Sequence, residues 1–406
     1  MTIKPGCQPD SGRVILHCDC NNFFASVELL KYPELQDRPV AVAGDPECRH
    51  GIILAKNMLA KRMGVQTAET IWQAQRKCPD LVLLPPHHDE YEAMSKRVNE
   101  IYFSVTDQVE PFSVDESWLD VTGSQRLFGD GKTIADELRR RVREELGITI
   151  SVGVSDNKAW AKLGSDYKKP DATTVITREN VAEILHPLPI QDMLFVGRAA
   201  AEVLRRHGVI TIGMLAATPK ESLVRWLGKQ GEGLHAMANG LDDAPVRRWG
   251  EGEMVKSVGN GMTYPHDLIG EEAWHAGLMP LCDSVGSRLR AQGLKCRTVT
   301  LQIKDPQFKV ISRQKTLPLS TNLTKVLFRE TLEILRQCWP REAPIRLLTV
   351  TASTLSSEDE EETAQLSFLT DIKPDDPRQA RIEQAVDGVR RRFGKKAISP
   401  GVNKVE

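Results

Sequence analysis

The chain lacks the spacing that would turn its cysteines into a site. Eight are scattered at positions 7, 18, 20, 48, 78, 282, 296 and 338, with no CxxC pair and no paired-histidine spacing beside them. That argues against zinc and for ordinary reduced thiols. Also missing are a signal peptide and any apolar run of membrane length, so a soluble, intracellular protein is expected. Net charge is almost absent: 54 Lys and Arg stand against 55 Asp and Glu, a formal −1. The balance alone therefore announces no nucleic-acid partner.

What is present is a polar arrangement of those charges. Residues 284–316 hold eight Lys and Arg (288, 290, 295, 297, 304, 309, 313 and 315) against the single acid Asp305, and residues 358–362 are five consecutive acids. A basic module and an acidic stretch cancel in the sum. With 406 residues the chain is long enough for two to four domains, and 40% apolar residues support packed cores.

Residues 13–19 alternate like a strand entering a core. Residues 88–105 place Tyr91, Met94, Val98, Ile101, Tyr102 and Val105 at helical spacing. Short strands are expected at Val109–Phe112 and Ser117–Val121, a helix over 130–146 closed by Gly147, a strand over 148–155 and a helix over 157–167. Without the insert at 31–85, the order β, α, β, β, α, β predicts a ferredoxin-like sheet with helices on one face. The insert reads as a small helical lobe, 181–245 as an all-helical block, 246–256 as a linker and 257–356 as a second α+β domain. An acidic, flexible segment at 356–376 and an amphipathic stretch at 378–393 complete the chain.

Three carboxylates stand out. Asp19 ends the first strand, and Asp115 and Glu116 sit between the two middle strands. In a ferredoxin-like sheet those positions can meet at one edge. Converging carboxylates need a cation, and hard oxygen ligands without His or Cys favour Mg²⁺. Two Mg²⁺ ions bridged by carboxylates are the device for in-line phosphoryl transfer. Lys61 on the insert and Lys169 after the last helix could then meet a triphosphate. Taken singly, Asp19 could instead cap the helix beginning near Asn22, and Asp-Glu in a turn could be solvated surface.

The stretches HCDCNNFFASVE, NMLAKRMGV, EPFSVDESWLDVT, SVGVSDNKAWAKLGSDYKKP and VGRAAAEVLRRHGVITIGMLA occur in that order. Together they resemble the Y-family DNA polymerases, in their DNA polymerase IV branch, over nearly the whole chain. The resemblance implies an α+β, right-hand polymerase. Its palm would be 1–30 and 86–180, its fingers 31–85, its helical thumb 181–245 and its little finger 257–356, with a tail at 357–406. It implies metal ligands at Asp19, Asp115, Glu116 and the Cys20 backbone carbonyl. Phe24 falls at the steric gate that rejects a ribose 2′-OH, while plain core packing describes Phe23. Lys61 and Lys169 match basic positions that hold the incoming dNTP. The chain departs from the family at Met58, where a Tyr is usual, and at Ala55, where a hydroxyl is usual. Both changes delete hydrogen bonds to phosphate, so weaker nucleotide binding is expected.

Residues 192–215 carry a helix–hairpin–helix pattern, with Gly197 and Arg198 opening a helix whose amides can hold a DNA phosphate. Arg297 and Arg313 in the basic module are expected to grip primed template DNA without reading its sequence. The peptide QLSFL at 365–369 resembles a sliding-clamp peptide with anchors Gln365, Phe368 and Leu369. The activity implied is low-fidelity translesion DNA synthesis without proofreading, by a monomer in a bacterial cytoplasm, associated with the nucleoid during repair. Two other readings stay open: a non-catalytic DNA-binding partner of the same architecture, and a nucleotide cyclase, which also sets paired carboxylates on such a sheet.

Overall fold

The computed structural model describes residues 12–45, 51–251, 254–358, 376–394 and 397–399. The chain divides into two compact units, one ending at Gly252 and the other running from Glu253. The described residues of the first unit form eight strands: β1 (Ile15–Cys20), β2 (Val40–Ala43), β3 (Ile53–Lys56), β4 (Val82–Leu84), β5 (Val109–Pro111), β6 (Glu116–Asp120), β7 (Ile150–Ser155) and β8 (Thr173–Val175). Its main sheet runs β5-β6-β1-β7-β8. β1 is antiparallel to both β6 and β7, and β8 joins parallel to β7. The first four of these are the ferredoxin-like order, with β8 added at the edge.

β1 is buried at every position, and its alternation serves two cores. Leu16, Cys18 and Cys20 face the helices His88–Phe103 and Gly131–Leu146. Ile15, His17 and Asp19 face the other way, where Ile15 packs with Trp118 and Ala161. The sheet is therefore covered on both faces. Helices on one face alone were expected, but helix Lys158–Tyr167 lies on the face opposite helices 88–103 and 131–146; it is capped by Asn157, whose side chain accepts from the Trp160 amide. Glycine makes its close approach possible. A Cβ on Gly153 of β7 would stand 1.8 Å from the Ala161 carbonyl oxygen and 2.5 Å from the Ser165 nitrogen.

The insert contains the two expected short helices, Met58–Arg62 and Ile71–Lys77. It also contains a three-stranded sheet, β3-β2-β4, which the sequence reading did not foresee. The block after β8 is helical, and its core takes in Trp160 and Leu163 from helix 158–167. Part of the expected linker is anchored within the first unit: Val246 is buried beside Ile15 and Trp118, and Arg247 binds Glu110.

The second unit has strands β9 (Ser257–Leu268), β10 (Leu294–Lys304), β11 (Val310–Thr321) and β12 (Ile345–Ser357), ordered β11-β10-β12-β9 and antiparallel throughout. Helices Gly270–Ala291 and Thr324–Cys338 share its core. A last helix, Pro377–Phe393, docks on the first of these through Arg290, which bonds Glu383 and Asp387 at 2.6 Å each. Glu383 also accepts the Thr324 amide at 2.8 Å, satisfying the start of helix 324–338. Among the described residues no helix is long and apolar enough to cross a membrane.

Because Lys162 rides on helix 158–167 and Lys169 follows directly after it, the seat of this helix should be sensitive. Gly153→Ala is expected to cost about 3 kcal/mol by overpacking. Differential scanning calorimetry should register a Tm lower by roughly 6–12 °C. An unchanged Tm would mean the helix does not rest on this strand as described.

Candidate active site

The register of β1 brings the three acids to one end of the sheet. Asp19 is paired across to Glu116 on β6 and to Ser151 on β7. The Cys20 amide donates to the Asp115 carbonyl at 3.0 Å, which fixes Asp115 beside the same strand end. Glu116 thus belongs to β6 rather than to the preceding turn. Asp19 is not a helix cap: helix Phe23–Leu29 starts from Asn22, whose φ is 51° and whose side chain makes no cap bond.

Asp19 is only 4% exposed. Its Oδ2 lies 2.6 Å from Lys169 Nζ and 3.6 Å from Lys162 Nζ. Lys162 also donates to Glu116 Oε1 at 2.8 Å, and Lys169 reaches Asp166 at 2.8 Å. Asp115 accepts from the Ser113 hydroxyl at 2.7 Å. Carboxylate charge is still in excess. Burial first, then the hydrogen bond and charge of Asp19, push Glu116 up to about 7 against the pull of Lys162. Burial and the Asp19 charge also raise Asp115, with Ser113 opposing. Burial pulls Lys162 and Lys169 down, yet their acidic neighbours outweigh it and hold both above the usual lysine value. Such a set of hard oxygen donors fits a divalent cation. In the structure the oxygens turn toward lysines, and among the described residues no three His, Cys, Asp or Glu side chains gather around one metal position.

Helix 23–29 separates the two adjacent phenyl rings. Phe23 is buried in the main core. Phe24 is half-buried and stacks on Tyr91 with centroids 4.1 Å apart and planes 12° from parallel. The Tyr91 hydroxyl donates to Glu28 Oε1 at 2.6 Å, and His87 lies 2.9 Å from the same oxygen. Burial alone would raise Glu28, but hydrogen bonds from Tyr91, His87 and Lys31 outweigh it and lower its pKa. Lys61 is exposed on helix 58–62 of the inserted lobe, outside the cluster around Asp19. Lys56 lies close enough for the Lys61 charge, after burial, to depress its pKa. Met58 opens that helix, and Ala55 lies on β3 opposite Val42.

Sequence reasoning missed Lys162, His17, Tyr91 and Lys56 as residues of this region. Lys162 did leave a signal: it interrupts a helical run whose neighbours Ala159, Ala161, Leu163 and Gly164 are all buried.

In the helical block Gly197 precedes helix Arg198–Arg206, and both Gly197 and Arg198 are exposed. Phe195, 60% exposed, takes the left-handed backbone there with φ 67°. Of the basic residues of 284–316, Arg290 and Lys315 are committed inside the second unit, Lys315 to Glu330 and Glu333. Arg297 and Arg313 are exposed on β10 and β11. The 365–369 peptide lies outside the described residues. Among the described residues, Cys18, Cys20, Cys78, Cys282 and Cys338 are free thiols.

A ferredoxin-like sheet with three acids and two lysines at one strand end fits both the polymerase and the cyclase readings of the sequence, and the comparisons with known proteins separate them. The chain matches the impB/mucB/samB family over residues 18–166 and that family's C-terminal domain over 255–368. It is 46% identical to DNA polymerase IV of Acetivibrio thermocellus, over 96% of this chain and 97% of that one. It is 37% identical to DNA polymerase IV of Moorella thermoacetica, over 96% of each chain. A solved Y-family DNA polymerase chimera shares its fold, with a TM-score of 0.73 at 23% identity, covering 84% of this chain and 98% of that one. The chain belongs to the Y-family DNA polymerases, and within them to the DNA polymerase IV branch.

Lys162 tests the charge balance directly. Lys162→Met should lower stability by about 1–2 kcal/mol in metal-free buffer, a partly exposed ion pair being worth less than a buried one. Added Mg²⁺ should raise the Tm of the variant more than that of the wild type. Equal Mg²⁺ responses would contradict the excess of carboxylate charge.

Proposed function

We propose that the chain performs low-fidelity, template-directed DNA synthesis past damaged bases, by nucleotidyl transfer from a dNTP to a primer 3′-OH, without proofreading. The observation that carries the reading is the register: Asp19 opposite Glu116, with Asp115 tied to the Cys20 amide, inside a chain of this family. Asp19, Asp115, Glu116 and the Cys20 backbone carbonyl would hold two Mg²⁺ ions. When bound, these supply charge neutralisation and lower the pKa of the attacking hydroxyl. The primer 3′-OH gives up its proton to solvent as its oxygen attacks the α-phosphate, the P–O bond to the β-phosphate breaks, and pyrophosphate leaves. Lys169 and Lys61 meet the triphosphate, Lys169 giving up part of its hold on Asp19. Phe24, backed by Tyr91, lies beneath the sugar and excludes a ribose. The sequence-defined palm, fingers, thumb and little finger divide the labour: chemistry, nucleotide contact, and grip on primed DNA through Gly197, Arg198, Arg297 and Arg313. The 365–369 peptide recruits the chain to a sliding clamp, and the protein works as a monomer in the bacterial cytoplasm, at the nucleoid during repair.

The two other readings lose ground. The acids are intact, against a non-catalytic partner, and membership of this family speaks against a cyclase.

Primer extension with a primed template, dNTPs and Mg²⁺ tests the assignment. Asp115→Ala and Glu116→Ala should each lower the rate at least about 10³-fold, roughly 4 kcal/mol of transition-state stabilisation. DNA binding retained by a wild type that fails to extend would sink the enzyme reading. In the same assay, Phe24→Ala should raise ribonucleotide over deoxyribonucleotide incorporation by about 100-fold; an unchanged ratio would remove Phe24 from sugar selection.

A further inference from the structure

His17 lies two residues before Asp19 on the same face of β1 and is fully buried. Its Nδ1 stands 2.8 Å from Ser165 Oγ, and that hydroxyl donates to the Lys162 carbonyl at 2.7 Å. A carbonyl can only accept, so the single hydroxyl proton is committed there and Ser165 must accept from the ring. Nδ1 therefore carries the ring proton, and Nε2 is left with its lone pair. Nε2 is buried without a hydrogen-bond partner among the described residues and faces Glu116 Oε2 at 3.7 Å, beyond hydrogen-bond distance. The Trp118 ring meets the imidazole edge-on at 5.2 Å and helps fix its plane. A proton on Nε2 as well would be a buried donor with no acceptor within hydrogen-bond distance, so the geometry favours the neutral ring.

We propose that Ser165 locks His17 in the tautomer that cannot donate to Glu116, and that this leaves the Glu116 carboxylate free to turn toward a divalent cation. His17 and Ser165 are thus positioning residues, and the inference rests on Glu116 being a metal ligand. In the opposite tautomer an Nε2–H would face the carboxylate. A small shift would then form a charge-assisted hydrogen bond that competes with the cation for the same oxygen. In the Nδ1–H tautomer, lone pair faces lone pair, and the carboxylate gains nothing by approaching the ring.

The test uses the full chain on primed DNA ended with a dideoxynucleotide. Nitrogen-15 NMR of histidine-labelled protein reads the tautomer, with the His17 signals identified by their loss in His17→Leu, or in His17→Gln if the leucine variant does not fold. Mn²⁺ affinity is read by electron paramagnetic resonance. The wild type should show a protonated Nδ1. Ser165→Ala should populate the Nε2–H form and weaken Mn²⁺ binding about 3–10-fold, and adding His17→Leu to Ser165→Ala should restore it. A wild-type Nε2–H tautomer overturns the inference, as does a double variant no tighter than Ser165→Ala, the outcome a purely structural Ser165 would give. Glu116→Gln separates the two levels. If it leaves Mn²⁺ affinity unchanged, the metal-site reading fails and the inference with it. If it weakens binding while Ser165→Ala does not, only the tautomer lock falls.

Discussion

A carboxylate at the end of a strand buried on both faces is the constraint around which the first unit is built. Asp19 sits at the end of the central strand of the main sheet with almost no solvent contact. A buried charge without a partner is strongly unfavourable, so something must bring a cation to it. Helix 158–167 does so. It carries Lys162 over the strand end, and the chain just beyond it carries Lys169. The helix can lie that close because β7 has Gly153 where a side chain would strike the helix backbone, and Gly164 meets Gly153 from the other side. The glycine in the strand, the asparagine cap and the two lysines form one device. Its result is a site where two lysines offset only part of the carboxylate charge and leave an excess that a divalent cation would neutralise.

The parts of this fold that were legible in the sequence are the long periodic ones. The βαββαβ order of the main sheet and its helices, helices 88–103 and 131–146 among them, and the closing Gly147 all follow from patterns many residues long. The sheet of the insert did not show, because VAVA, ILAK and VLL are too short to display a period of two. Strand ends were legible to within two residues, and a shift of one is enough to move Glu116 from a turn into β6. The linker is a subtler case. Its Arg- and Glu-rich composition suggests exposure, yet Val246 completes a small apolar cluster and Arg247 neutralises Glu110, which is 5% exposed. Composition averages over a window, and a single buried side chain within it is invisible to the average.

Charge counting in the second unit has the same weakness. Eight basic residues against one acid read as a single DNA-facing surface, but Arg290 is turned inward to dock the last helix. Its acidic partners, Glu383 and Asp387, lie about a hundred residues downstream. Lys315 is likewise satisfied by Glu330 and Glu333 on helix 324–338. Both pairs stabilise the unit rather than present charge, so the number of phosphates the module can neutralise is smaller than the count suggests.

The adjacent phenylalanines show why placement decides what chemistry a residue type can do. Phe23 and Phe24 are chemically identical and one position apart, yet the helix turns one into the core and lays the other flat on Tyr91. A ring that rejects a 2′-hydroxyl by contact must not yield when pressed, since a yielding wall discriminates only by its own softness. Phe24 is backed by an aromatic face, and that face is pinned by a hydrogen bond to a carboxylate with no solvent exposure. Glu28 in turn is charged because Tyr91, His87 and Lys31 converge on it. Rigidity at the sugar, in the proposed reading, is thus supplied by a polar cluster behind the ring. Removing the Tyr91 hydroxyl would loosen the gate without altering its shape.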